Sequence, residues 1–211
     1  IAAMIQPYTD RDGSGVYLST LNSGLPQALE LLADLVRHPA YREADLERLR
    51  AQTLAAIQGE LADPAKLAVR LLPRLLYGEG HAYGTTGTGS VKALQSLIPA
   101  HLGAFHRAWL RPDLATVFVA GDTTLDAVLP LLEKAFGDWT TAQTGSSKSL
   151  AGVAASSSSR VHLIHRPGTQ AQITAGRVVA PGIAPEYHAM RLANAIFGGV
   201  FSSRLNMNLR E

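Results

Sequence analysis

Seven histidines and no cysteine set the chemistry open to this 211-residue chain. Without Cys there are no thiolate ligands, thiol nucleophiles or iron–sulfur sites, so a metal ion would have to be held by His and carboxylates. The histidine pairs nearest in sequence diverge. His162 and His165 are three residues apart in a predicted strand, where alternation sends them to opposite faces. His101 and His106 are five apart on a predicted helix, rotated by about 140° from one another. His81 sits in a Gly-rich loop, and His38 at a helix end, where a cation complements the C-terminal dipole. The loop Gly84-Thr85-Thr86-Gly87-Thr88-Gly89-Ser90 has the composition of a phosphate cradle, but lacks Gly-Lys-Ser/Thr and does not follow a strand. There is no HExxH, HxxEH or GxSxG. Glu43, Asp45 and Glu47 gather where a helix begins, a placement the helix dipole already explains.

The background is that of an ordinary folded chain: 46% hydrophobic, 17% charged, with Lys+Arg 19 against Asp+Glu 17 for a net charge of +2. Its pI is about 9.1, yet the basic residues are scattered and form no phosphate-tracking stripe, so nucleic acid is not an expected partner. No apolar run reaches the length of a membrane span, and no signal-peptide pattern stands at the front. The chain opens at Ile1, and its last helical pattern, LNMNLRE, reaches Glu211 without a terminating Gly, Asn or Pro. It reads as a segment of something longer.

The elements alternate in kind. Val16 to Leu21 reads as a strand, and Asn22-Ser23-Gly24 offers a helix cap. A helix carrying Leu29, Leu32, Leu35 and Val36 follows and stops at His38-Pro39. A second runs from Glu43 to about Gln58 with Leu46, Leu49, Thr53, Leu54 and Ile57 on one face and Arg48 and Arg50 off it. Asp63-Pro64 starts a third as N-cap and first helical residue, with Pro73 as a late kink or break. Beyond the Gly-rich loop come a helix at Ala100 to Trp109, an apolar mid-sheet strand at Ala115 to Ala120, and a helix from Thr124 to Phe136 that Gly137 ends. Residues Thr140 to Ser159 are almost all Ser, Thr, Ala or Gly, a linker by composition. Strands at Val161 to His165 and Gln172 to Val179, a helix from Glu186 to Phe197 ended by Gly198-Gly199, and a last helix capped by Ser202 complete the pattern. The expected fold class is α+β.

Three stretches in order carry a resemblance: ALELLADLVRHPAYREADLERLRAQTLAAI; LLYGEGHAYGTTGTGSVKALQSLIPAHLGAFHRAWLRPDLATVFVAGD with FGDW after it; and IHRPGTQAQITAG followed by NAIFGGVFSSRLNMNLRE. Together they resemble the pitrilysin/insulinase family of zinc metallopeptidases, which includes the mitochondrial processing peptidases. The resemblance implies two homologous halves, on one chain or two subunits, closing as a clamshell around a chamber, each half being two α+β modules. Residues 1–142 would be the rear part of a first module, 143–159 the linker, and 160–211 the front part of a second.

Catalytic halves of that family carry HxxEH and, downstream on a helix, two Glu seven residues apart. Here Glu47 has Leu54 at that spacing and Leu49 has Ala56, and no two acids between Glu30 and Asp63 are seven apart. Neither Leu nor Ala can ligate zinc. The resemblance therefore implies the non-catalytic half: no zinc bound by this segment, zinc in the partner half, and a peptide as substrate. It also implies a role for Leu209-Arg210-Glu211, which matches the front of the family's LRE-x-x-G-x-x-Y pattern, whose Arg and Tyr hold substrate. Arg210 is the expected substrate-binding residue; its Tyr partner at that spacing would fall past Glu211. Arg204 of SSRL reads as a structural or interface Arg. The alternative function is a scaffold or binding protein that keeps the fold and cleaves nothing. A third reading, a catalytic half with a displaced ligand, would be favoured by an HxxEH upstream. Family members in bacteria are often periplasmic, which gives the expected compartment.

Overall fold

An antiparallel hairpin opens the chain, β1 (Ala3–Thr9) pairing with β2 (Ser14–Thr20) in the register Ala3↔Thr20 to Thr9↔Ser14. Its turn is closed by Asp10, whose Oδ1 accepts the backbone N–H groups of Asp12 and Gly13 at 2.8 Å each. Sequence pattern alone misses β1. Pro7 removes a ladder donor from its middle and makes the run read as something other than a strand; in a two-stranded sheet both strands are edges, where Pro is tolerated. The computed structural model describes residues 2–141, 152–153 and 159–210, and the Ser/Ala/Gly-rich linker at 143–159 lies outside them apart from 152, 153 and 159.

The helices are α1 (Leu25–Arg37), α2 (Glu43–Ala62), α3 (Pro64–Tyr77), α4 (Val91–Ser96), α5 (Pro99–Trp109), α6 (Leu125–Phe136), α7 (Tyr187–Asn194) and α8 (Arg204–Arg210). With the hairpin they make an α+β architecture. Its best-defined core is a layer in which α1 lies between β2 and α6: Leu29, Ala33 and Ala135 are buried, and Leu18, Leu25, Leu32, Leu131, Leu132 and Phe136 pack around them. Arg37 closes this layer at its far end. Its Nη1 donates to the Ala135 carbonyl at 2.8 Å, one of the carbonyls α6 cannot satisfy internally, and pairs with Asp138 at 2.9 Å. His106 on α5 reaches the Val36 carbonyl at 2.7 Å, tying α5 to α1.

Asp63 is the N-cap of α3, its side chain accepting the N–H groups of Ala65 and Lys66 at 2.8 and 3.2 Å, with Pro64 next. Thr124 caps α6 in the same way. Other expectations need correction. Asn22-Ser23-Gly24 forms a 3₁₀ turn instead of a side-chain cap, and Asn22 Nδ2 donates to the Asp122 carbonyl at 2.7 Å. Pro73 neither breaks nor ends α3, which continues to Tyr77, and α2 runs on to Ala62. On α2 only Leu46 and Ile57 of the expected face are buried, Leu49 is half exposed, and Arg50 turns inward to bond the Leu94 and Leu97 carbonyls at the end of α4. The long Arg side chain buries its stem and caps a neighbouring helix, which a simple apolar/polar division of the helix does not register.

The expected strands at 115–120, 161–165 and 172–179 take no regular secondary structure and join no ladder, the hairpin being the one sheet among the described residues. Their large side chains face outward, with Phe118 91% and Val161 94% exposed. Apolar composition reports what a strand could bury; whether it does so depends on neighbours supplied from elsewhere in the fold. One of these runs is nevertheless tied to the helices. A Cβ added at Gly176 would meet Leu72 Cδ2 of α3 at 3.0 Å, so the backbone passes close over that helix.

Between α5 and the run at 115–120, Arg111 is 4% exposed and grips Asp113 through Nε at 2.9 Å and through Nη2. The hydrogen bond from Arg111 holds the Asp113 carboxyl below the usual carboxylate range. A carboxylate whose pKa is lowered by folding contributes stability that is complete above its unfolded pKa and is lost as pH falls through the folded value. Acid melts of the wild type and Asp113→Asn are expected to show this: the variant loses stability at neutral pH and is less sensitive to acidification below about pH 4. Parallel pH dependences of the two proteins would refute it.

Candidate substrate-binding site

The segment from α7 to α8 carries the residue that sequence singles out. After α7 the backbone widens into a π-helical turn, Ala195–Gly199, a geometry in which one extra residue is accommodated per turn. Gly199 lies against Asn194, whose carbonyl oxygen an added Cβ would meet at 3.2 Å. Val200 is extended, and a tight turn then feeds α8. Ser203 is the pivot of that turn. It is 1% exposed, donates its N–H to the Val200 carbonyl at 3.0 Å, and accepts the Asn206 N–H on Oγ at 3.5 Å. The cap on α8 is thus Ser203 and not the expected Ser202, because Ser203 immediately precedes the first helical residue. Asn206 Nδ2 returns to the Val200 carbonyl at 2.9 Å, binding turn and helix into one unit.

Arg210 is exposed in the last turn of α8, with its Cζ 4.2 Å from the centroid of the Phe201 ring. No hydrogen bond or ion pair engages its guanidinium among the described residues. Five N–H donors are therefore offered in one plane, an arrangement suited to a peptide carbonyl or carboxylate. Arg204, on the first turn of the same helix, is exposed as well. The contact with Phe201, nine residues upstream, has no signature in the sequence; it depends on how the turn at Val200 folds back.

Four of the seven histidines, His38, His81, His101 and His106, are engaged by neighbouring groups. His81 Nδ1 accepts the Tyr83 N–H at 3.0 Å and the ring stacks on Tyr77 at 5.3 Å. His101 Nδ1 accepts the Ile98 N–H at 3.4 Å, and His38 sits 3.4 Å from Asp34. His162 and His165 are exposed in the run at 161–165. The Gly-rich loop is held by its own chain: Thr86 Oγ1 donates to the Gly89 carbonyl at 2.9 Å, and Arg70, paired with Glu60 at 2.6 Å, donates to Thr88 Oγ1 and the Gly89 carbonyl at 2.7 Å each. Gly84 is required there, since a Cβ would come within 1.8 Å of the Gly78 carbonyl oxygen. Tyr83 donates its hydroxyl to Asp12, docking the hairpin turn on the loop, and that bond raises the Tyr83 pKa.

The residues of α2 do not fit a zinc ion. Glu47 on α2 is engaged by Arg50, whose Nε and Nη2 donate to its carboxylate at 2.8–3.2 Å. Leu54 and Ala56, at the spacings a second ligand would need, have no donor atom. Among the described residues, no three His, Asp or Glu side chains come together in a way that could hold a metal.

Residues 96–211, more than half of the chain, match the family profile described as peptidase M16 inactive domain, and residues 1–87 match that of insulinase, peptidase family M16. The chain belongs to peptidase family M16. This M16 chain is 26% identical over 213 residues to an uncharacterised zinc protease of Mycobacterium tuberculosis, an alignment covering 100% of the chain and 48% of that relative. It thus spans about half the length of the curated relatives it matches. The crystal structure of a peptidase M16 inactive domain from Pseudomonas fluorescens superposes with a TM-score of 0.83 at 22% identity, covering 99% of this chain and 50% of that one. The first half of the periplasmic protease PqqL from Escherichia coli follows the same fold over 72% of this chain and 33% of its own, with a TM-score of 0.59 and 17% identity. The inactive-domain match runs from the end of α4 to the end of the chain and includes α7, the π-helical turn and α8.

Proposed function

We propose that this chain is part of the non-metal half of an M16 peptidase, closing the chamber and helping to bind a peptide that a homologous half, carrying zinc, hydrolyses. The observation that carries the reading is on α2, where Leu54 stands seven residues after Glu47 and Glu47 is held by Arg50. A helix that resembles the ligand-bearing one carries, at a ligand's spacing, a side chain with no donor atom. Residues 1–142 form the rear of one α+β module and residues 160–211 the front of the next in this proposal, joined by the linker at 143–159. The homologous half lies on the same chain or on a separate subunit. In that assembly Arg210 projects its guanidinium toward the substrate backbone and stabilises negative charge on a peptide carbonyl.

A periplasmic location accords with the family resemblance and with the PqqL neighbour. No helix among the described residues is long and apolar enough to cross a membrane. The proposal is tested by metal analysis of the complete two-half protein after exhaustive dialysis. One zinc per pair of halves is expected; two would make this half a metal site and overturn the assignment.

A further inference from the structure

We propose that Phe201 is the positioning residue for Arg210, a platform that orders the guanidinium and leaves its donors available to substrate. This inference rests on the substrate-binding reading of Arg210. It starts from how the two residues are mounted. Phe201 belongs to the turn between the π-helical segment and α8, and Arg210 to the far end of α8, yet both are fixed to one frame. Asn206 Nδ2 and the Ser203 N–H converge on the Val200 carbonyl at 2.9 and 3.0 Å, and the Met207 N–H donates to the Ser203 carbonyl at 2.9 Å. Ser203, at the centre of these bonds, is 1% exposed. The backbone that carries Phe201 is consequently held at a set position relative to α8, and the guanidinium carbon of Arg210 lies 4.2 Å from the centroid of its ring.

The type of contact matters. An arginine ordered by a carboxylate spends its donors on that partner and has its charge neutralised. An arginine ordered by an aromatic ring uses only the face of its guanidinium, so charge and in-plane donors remain available. Arg210 has no acid partner among the described residues, so the Phe201 ring is the contact that engages its guanidinium. Restriction of a long, freely rotating side chain before substrate arrives reduces the ordering that binding must otherwise supply.

The test uses the complete two-half enzyme with Phe201→Leu, Phe201→Tyr, Arg210→Ala and the double variant Phe201→Leu/Arg210→Ala. Peptide hydrolysis gives kcat/KM, and the Nε–Hε resonance of Arg210, assigned by its loss in Arg210→Ala, reports the ring current of Phe201. Phe201→Leu is expected to lower kcat/KM by about 2- to 30-fold. It should also abolish the ring-current displacement and leave Tm unchanged. Phe201→Tyr, which keeps the aromatic face, restores both the rate and the displacement. In the Arg210→Ala background, Phe201→Leu has no further effect. A full loss from Phe201→Leu in that background, or no rescue by Tyr, overturns the proposal. If Arg210→Ala leaves the rate unchanged while the displacement is present, the substrate role of Arg210 fails and the positioning role falls with it. If Arg210→Ala is slow but the displacement is absent and Phe201→Leu is silent, the positioning role alone fails.

Discussion

Arg210→Ala in the complete two-half enzyme is expected to lower kcat/KM by roughly 10- to 1000-fold with zinc content unchanged. The range follows from what the side chain offers. Its guanidinium sits on the exposed end of α8 without a protein acceptor among the described residues, so its donors are free for a peptide oxygen. A charge-assisted hydrogen bond to developing negative charge strengthens as the carbonyl becomes tetrahedral, and loss of one such donor costs on the order of 100- to 1000-fold in other hydrolases. The lower limit applies where the Arg holds ground state and transition state alike, in which case KM rises and kcat changes little. Arg210→Lys tests the geometry separately from the charge. An ammonium keeps the cation but neither stacks as a plane on Phe201 nor presents two parallel donors, so Lys is expected to recover only part of the rate. A wild-type rate in Arg210→Ala would remove Arg210 from substrate binding. The protein would then read as a scaffold sharing the M16 fold.

Much of this arrangement can be read from local sequence because local physics determines it. Asp63-Pro64, Thr124 and Gly137 set helix ends through backbone groups only one to four residues away, and these helices begin or end where the sequence indicates. The missing ligand on α2 is equally legible, since a fixed helical spacing converts residue identities directly into donor positions. What escaped were relations set by distant segments. Pro7 hides β1 because tolerance of Pro depends on the hairpin having no third strand, as it has none among the described residues. The run at 115–120 has the composition of a central strand, yet among the described residues no strand lies alongside it. Arg50 looks like a solvent-facing charge until α4 supplies carbonyls for it. For the candidate site, Arg210 is visible as part of a motif, whereas the Phe201 ring beneath it becomes visible only once the turn at Ser203 is known.

The face of α2 gives the second large effect. Apolar spacing places Leu46, Leu49, Thr53, Leu54 and Ile57 together, but burial separates them: Ile57 is 1% exposed and Leu49 50% exposed. Ile57→Ala is therefore expected to destabilise the protein by about 2–5 kcal/mol, combining lost apolar burial with the cavity left in surroundings that relax only in part. Leu49→Ala, on the same predicted face, removes a side chain already half in water and replaces it with a better helix former. Its loss should be about 1 kcal/mol or less. Denaturant unfolding of the two variants against wild type distinguishes the alternatives, provided the m-value is unchanged so that midpoints report stability alone. Comparable losses at both positions would mean that α2 buries the whole stripe its sequence suggests, with Leu49 covered in the complete protein. A large loss confined to Ile57 would place the packing seam of α2 on Leu46 and Ile57. Leu49 would then lie outside that seam, on the same helix where Arg50 reaches across to the end of α4.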